Sequence, residues 1–305
     1  MKTSATDLEL AIQMDEAARV AHELRLKRDR RERNGRILKH IFLIVVSCVM
    51  LYPLFWLLAS SLKPENEIFG SLTLWPSEFH FENYTKGWYA LPISFTVFYV
   101  NSAIVTILSV IGNLISCSFA AYAFARLNFT GRSFFFALMM MTLMIPYHVV
   151  LIPQYVQFLN LGWVDTYLPL VVPRFLASDG FFIFLMVQFF RQLPRELDEA
   201  AMIDGCSPFK IYWAIILPLS LPAMGTAAIF SLIWVWEDFF APLIYLNDIK
   251  SYTVPLALRL FLDQEGQSAY GQMFAMSVLS LVPVVIFFGL FQKLIVRGIA
   301  TSGMK

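Results

Sequence analysis

The stretch Glu199–Pro222, EAAMIDGCSPFKIYWAIILPLSLP, decides how the chain is read, because it sets a polar helical segment with a glycine break between two long apolar runs. Pro194 suits a first helical turn, where its missing N–H needs no partner. A helix starting there runs through Glu199, Ala200, Ala201 and Ile203. Gly205 stands where a left-handed terminating residue is expected, since glycine takes positive φ without a Cβ clash. Ser207 and Pro208 form an N-cap and N1 pair that starts a second helix, carrying Phe209–Leu217 toward Pro218. The sequence thus predicts helix, glycine turn, helix.

Composition fixes the setting of that segment. The 305 residues are 58% hydrophobic, 16% aromatic and 15% charged, with a mean hydropathy of +0.64. A soluble domain is about 25% charged, so the chain is expected to be an all-α polytopic membrane protein. Uncharged runs long enough for a bilayer, about 20 residues of helix, lie at Ile41–Leu62, Thr96–Phe124, Phe134–Tyr155 and Gln272–Gln292. Two further runs contain ionisable groups. Leu168–Phe190 holds Arg174 and Asp179, and Pro222–Tyr245 holds Glu237 and Asp238. The expectation is six spans in one membrane domain, residues 41–305, behind a basic tail, residues 1–40.

Basic residues sort by side. With both termini in the cytoplasm, the inner side carries the cluster from Arg25 to Lys39, then Arg126, Arg132, Arg191, Arg195, Lys210, Lys293, Arg297 and Lys305. The outer side carries only Lys63, Lys86, Lys250 and Arg259. The positive-inside bias therefore puts the helix–glycine–helix segment in the cytoplasm. A polar, charge-rich segment of 40 residues precedes the first apolar run and no small-residue cleavage site follows that run, so the first span reads as a retained anchor rather than a signal peptide. Leu8–Leu26 has apolar groups at roughly helical spacing, which fits either a solvated tail or a membrane-surface helix. The outer connection Lys63–Phe95 is rich in aromatics, among them Trp75, Phe79, Trp88 and Tyr89, as suits headgroup depth.

Direct catalysis finds no support. No Gly-x-x-x-x-Gly-Lys-Ser/Thr phosphate loop occurs in the chain. The histidines His22, His40, His80 and His148 have no metal-ligand spacing, and Cys48, Cys117 and Cys206 are expected as free thiols. Glu237 and Asp238 point about 100° apart on a helix, a poor acid–base pair. Intramembrane charge needs another account, since such groups normally face a protein interior or an aqueous cavity. Pro173 and Ser178–Gly180 are potential breaks, so the fourth span is expected to be discontinuous, and Arg174 and Asp179 either line a pathway or sit near the outer interface. Asn101 and Asn113 are read as hydrogen-bonding groups between helices.

The order Glu199-Ala200-Ala201, Asp204-Gly205 and Ile215-x-Leu217-Pro218 resembles the EAA loop of ABC importer permeases. Trp236-Glu237-Asp238-Phe239-Phe240-Ala241-Pro242-Leu243 and the tail from Gln292 to Ile299 resemble the maltose-type, carbohydrate-specific branch, so the likeness covers roughly residues 38 to 305. Two departures stand out: Cys206, where alanine is common, and Glu237, where asparagine is usual. The resemblance implies that Glu199, Ala200, Ala201, Asp204, Gly205, Ile215, Leu217 and Pro218 form the loop that docks a separate ATPase. It also implies a related second permease subunit, two ABC ATPase subunits that use ATP and Mg, and an extracytoplasmic substrate-binding protein that meets the outer loops Lys63–Phe95 and Asn247–Gly271. The setting would be a bacterial cytoplasmic membrane. No cofactor, metal, catalytic residue or nucleic acid is expected on this chain. Arg174, Asp179, Trp236, Glu237 and Asp238 are candidates for the translocation pathway, with Trp236 read either as a sugar-stacking face or as packing. The alternative is an ion-coupled secondary transporter that uses Asp179, Glu237 and Asp238.

Overall fold

In the computed structural model the backbone is described for residues 5–71, 73–262 and 269–302, and side chains for residues 32–71, 73–262 and 269–292. Among these there is no strand. The chain forms two compact units, residues 1–57 and 58–305. The first consists of most of helix α1, Ala5–Ser60. It passes through residue 40 without a break, so the basic tail and the apolar run share one helix. From Glu32 to Phe55 every side chain is exposed, and from Ile41 onward the helix is apolar all round, as belongs in a membrane or a core. The surface-helix reading of Leu8–Leu26 lies outside the described side chains, as do Lys293, Arg297 and the chain end.

The second unit holds the rest. On the side expected to be outside lie α2, Glu65–Ile68, and α3, Glu82–Tyr89. Helix α4, Phe95–Arg126, is the central column. Then come α5, Arg132–Thr142, and α6, Tyr147–Asn160. Helix α7, Leu168–Val171, passes into a 3-10 turn at Val172–Leu176 and is followed by α8, Gly180–Gln192. The polar segment supplies α9, Glu196–Ile203, and α10, Pro208–Ile211, then a π turn at Tyr212–Ile216 and α11, Leu217–Leu219. Helix α12, Leu221–Trp236, leads to α13, Phe240–Tyr245, α14, Val254–Arg259, and α15, Tyr270–Ser302.

Among the described residues four helical stretches are long and apolar enough to cross a bilayer: Glu32–Ser60, Phe95–Arg126, Leu168–Gln192 and Tyr270–Gln292. Two bent pairs bring the number to six if each crosses once. One is α5 with α6, bent by 99°, so the apolar run Phe134–Tyr155 is broken in its middle. Pro146 has no N–H to continue the ladder, and a residue before proline is pushed out of the helical region. The other is Pro208–Leu219 with Leu221–Trp236, bent by 76°, between Pro218 and Pro222.

The fourth span is discontinuous, and α4 compensates for the break. Gly112 lets the broken segment lie close, since a Cβ there would sit 2.5 Å from the Phe175 ring. On the same face Ser109 Oγ donates to Leu170 O at 3.3 Å and Ser116 Oγ to Arg174 O at 2.7 Å. These hydroxyls satisfy carbonyls that the irregular backbone leaves open, as a membrane interior demands. Asn113 Nδ2 reaches Ser231 Oγ on α12 at 3.2 Å, the expected interhelical bond. Asn101 turns instead to backbone, donating to Lys250 O at 2.8 Å and Tyr252 O at 2.9 Å.

The two connections expected on the outer side pack together. Phe95, Phe98, Val254, Phe261 and Met276 share one buried cluster. Glu65 accepts from the N–H groups of Tyr270 and Gly271 at the start of α15, at 2.5 and 3.0 Å, where a carboxylate also complements the helix dipole.

Candidate functional site

The helix–glycine–helix segment forms as its residues require. Helix α9 ends in a Schellman motif, with Cys206 N–H bonding Ala201 O at 2.9 Å and Gly205 N–H bonding Met202 O at 3.0 Å. Gly205 has φ +76, with nothing within 4 Å of where a Cβ would stand. Glycine is therefore demanded by the backbone angle and not by crowding. Ser207 Oγ accepts from Lys210 N–H at 3.3 Å and Pro208 occupies the first turn. Sequence reasoning missed the π turn. Leu217 N–H bonds Tyr212 O, one residue further back than in an α-helix, just before Pro218, which has no N–H to offer.

This segment is fastened to the end of α4. Arg126 Nη1 pairs with Asp198 Oδ2 at 3.0 Å, with side-chain exposures of 3% and 14%, and Arg126 Nη2 donates to Leu193 O at 2.8 Å. Arg126 Nε and Asp198 Oδ1 are buried without a hydrogen-bond partner among the described residues. Tyr122 Oη donates to Pro208 O at 2.9 Å, and the Tyr212 and Ser118 hydroxyls lie 2.7 Å apart. The Phe119 ring stacks on Tyr212 at 4.6 Å. Helices α9 and α10 are thereby pinned to the last turns of α4, from Ser118 to Arg126.

The pinning decides which residues face outward. Ala201 is buried in the core with Tyr122, Phe190 and Tyr212, so its small size serves this chain's own packing. Glu199, Ala200, Met202, Ile203, Asp204 and Gly205 are exposed, Ile203 at 87%. Ile215 and Leu217 pack against the same core, while Pro218 is exposed. Tyr122, Arg126 and Asp198 were not singled out from the sequence. Arg126 closes an apolar span and Asp198 sits in the first turn of α9, but 72 residues separate them, and nothing local signals the pairing.

A second feature lies among α4, α5, α6, the broken fourth span and α13. It is a cavity of about 510 Å3 whose lining includes Tyr147, Gln154, Arg174, Asp179, Asp238 and Tyr245. Arg174 Nη1 and Asp179 Oδ2 are 2.8 Å apart, and Ser178 Oγ donates to Pro173 O at 2.8 Å. Asp238 Oδ1 accepts from Ala241 N–H at 3.2 Å and so starts α13. Asp179 and Asp238 thus each stand at a helix break, on the cavity wall. Trp236 and Glu237 are placed elsewhere. The Trp236 indole donates to Ser280 O at 2.9 Å on α15 and packs edge-on against Tyr99, and Glu237 is exposed. Among the described residues no group of His, Cys, Asp and Glu is arranged to hold a metal.

The model of the family described as "Binding-protein-dependent transport system inner membrane component" matches residues 112–301. The chain is 33% identical over 265 residues to "Probable ABC transporter permease protein YurM" of Bacillus subtilis (strain 168), covering 87% of each. It is 32% identical over 273 residues to "Arabinooligosaccharides transport system permease protein AraQ" of the same organism, covering 88% of this chain and 96% of that one. It is 34% identical over 271 residues to "Trehalose/maltose transport system permease protein MalG" of Thermococcus litoralis, covering 88% and 97%. Its fold matches a chain from a crystal structure of a bacterial ABC transporter involved in the import of the acidic polysaccharide alginate. The TM-score is 0.75 at 22% identity, with 86% of this chain and 96% of that one covered.

Proposed function

Because the chain belongs to the family of binding-protein-dependent transport system inner membrane components, we propose that this ABC permease subunit imports a carbohydrate handed over by a substrate-binding protein. An ion-coupled secondary transporter is not supported by that membership. The carbohydrate reading draws on the relatives named for arabinooligosaccharide and trehalose/maltose transport. A related second permease and two ATPase subunits, which would use ATP and Mg, complete the proposed assembly. The membrane is a bacterial cytoplasmic one with both termini inside. The paired outer connections would receive the binding protein.

One observation carries the proposal: an exposed face of α9, with Glu199, Ala200, Met202 and Ile203, rigidly fixed to α4 through Arg126 and Asp198. Such a helix acts as a handle. A partner that moves it moves α4, and α4 carries both the broken fourth span and a wall of the cavity. Closure of an ATPase dimer on ATP would turn the pathway outward, and hydrolysis would reset it, with the acids at the breaks lining the route.

The test is purification of the tagged chain from its native membranes in mild detergent, with its companions identified by mass spectrometry. A P-loop ATPase and a second permease are the expected companions. Repeated recovery of an active, gradient-driven transporter lacking any ATPase would overturn the proposal.

A further inference from the structure

The cavity described above has unused hydrogen-bonding groups on its wall. Tyr245 is 2% exposed and Thr253 4%; both line the cavity, and both hydroxyls are buried without a partner among the described residues. Buried polar groups are nearly always paired, so each exception asks for an explanation. Thr253 sits at the N-cap of α14, where a threonine hydroxyl ordinarily accepts from the helix backbone, and here its side chain makes no capping bond. The Tyr245 ring is held by Phe158, edge-on at 5.4 Å, and by Tyr155, stacked at 6.3 Å. Packing thus fixes the ring and leaves its hydroxyl unspent.

The charges narrow the chemistry. Arg174 is the one basic residue in the described lining, and Asp179 already holds it at 2.8 Å. An anion entering the cavity meets Asp179 and Asp238 with no unpaired cation to receive it. An apolar ligand would leave the Tyr245 and Thr253 hydroxyls unmatched. A neutral polyol answers both conditions, because its hydroxyls donate to carboxylate oxygens and accept from the protein's own hydroxyls. The volume, about 510 Å3, falls within the span of small-molecule pockets, roughly 300–1,000 Å3.

We propose that this chain carries its own substrate subsite, in the cavity between α4, α6, the broken fourth span and α13, and that it holds an uncharged, polyhydroxylated ligand through Tyr245, Thr253 and Asp238. The inference rests on the carbohydrate reading above and adds to it both a location within this subunit and a selection against anionic cargo.

The experiment is uptake by cells carrying the chain with its co-purifying partners, measured for wild type, Tyr245→Phe and Thr253→Val. The probes are radiolabelled maltose, trehalose, glucose and arabinose beside sn-glycerol 3-phosphate and glucuronate. Wild type takes up a neutral probe in preference to both anions. Each substitution raises the KM for that probe about three- to tenfold, as the loss of one neutral hydrogen bond allows. The thermal stability of the purified complex stays unchanged or rises, because neither hydroxyl has a partner to lose among the described residues. A neutral probe taken up with KM unmoved in both variants overturns the subsite and leaves the carbohydrate import standing. Preferred uptake of glucuronate or sn-glycerol 3-phosphate overturns the selection against anions. No uptake of any probe by an intact, ATP-hydrolysing assembly sinks the carbohydrate reading and this inference together.

Discussion

Two arginine–carboxylate pairs flank α4, and they are built from the same groups at nearly the same distance, 3.0 Å for Arg126–Asp198 and 2.8 Å for Arg174–Asp179. The first joins α4 to α9 across 72 residues, and the second spans five residues within one broken helix. Their surroundings differ as well, since Arg126 is 3% exposed and Arg174 29%. A local pair holds a shape, whereas a long-range pair makes two elements move as one. Under the proposed function the contrast separates a pair placed to transmit motion from one that shapes the cavity, at nearly the same distance between the charged groups.

Breaking the long-range pair is the severest test. Arg126→Ala leaves Asp198 buried and unpaired, a situation that typically costs about 3–5 kcal/mol. Uptake is expected to fall to background, with lower thermal stability of the complex. Arg126→Met with Asp198→Leu removes both charges and restores most of the stability, because a buried pair replaced by apolar groups is often neutral. If the double variant is stable and still transports normally, the pair is packing and not transmission. Asp179→Asn is expected to be milder, since Arg174 is less buried than Arg126 and the amide keeps a hydrogen-bonding oxygen.

Gly205→Val sharpens the same contrast without touching charge. At φ +76 a residue with a Cβ costs roughly 1–2 kcal/mol, and a β-branched one more. The open space around Gly205 means the strain stays local to the Schellman turn. Uptake is expected to be lost while the amount of protein in the membrane is unchanged. Normal uptake at normal abundance would show that the turn is dispensable for coupling.

Most of the fold was legible because the signals are local. Gly205, Ser207 and Pro208 announce the turn between α9 and α10 by backbone chemistry alone, and Pro173 with Ser178–Gly180 marks the broken fourth span. Elsewhere hydropathy masks signals of the same kind. Pro146 sits inside a continuous apolar run, so hydropathy hid a 99° bend. The π turn at Tyr212–Ile216 follows from Pro218, which reads equally well as an ordinary helix end. What the sequence withholds is pairing over distance. Nothing near Arg126 points to Asp198, nothing near Ser109 and Ser116 points to the carbonyls they satisfy, and the inward turn of Ala201 depends on where α9 is docked.

Tyr122→Phe trims the anchor by one hydroxyl. It removes the donor to Pro208 O at 2.9 Å and leaves the ring against Tyr212. A typical neutral hydrogen bond contributes about 0.5–1.5 kcal/mol, so a modest loss of stability is expected with a partial loss of uptake. An effect as large as that of Arg126→Ala would place the transmission in α10 and not in the Arg126–Asp198 pair.

The smallest effect belongs to the opposite face, where a carboxylate acts without a cation. Asp165 Oδ1 accepts from the N–H groups of Asn247 and Asp248, both at 2.9 Å. These bonds hold its carboxyl below the ordinary 3.8, the Asp248 bond contributing most and the Asn247 bond next. A group whose folded value is depressed contributes stability above its unfolded value and loses it as pH falls through the folded one. The link between residue 165 and the 247–248 turn is therefore complete at neutral pH and weakens only below about pH 4. Asp165→Ala removes it at every pH, and the difference in melting temperature between wild type and variant should narrow as pH drops below that value. A difference that stays constant down to pH 3 would mean that the backbone angle at residue 165, φ 65, matters more than the carboxylate, because alanine relieves no strain there and protonation would then change nothing.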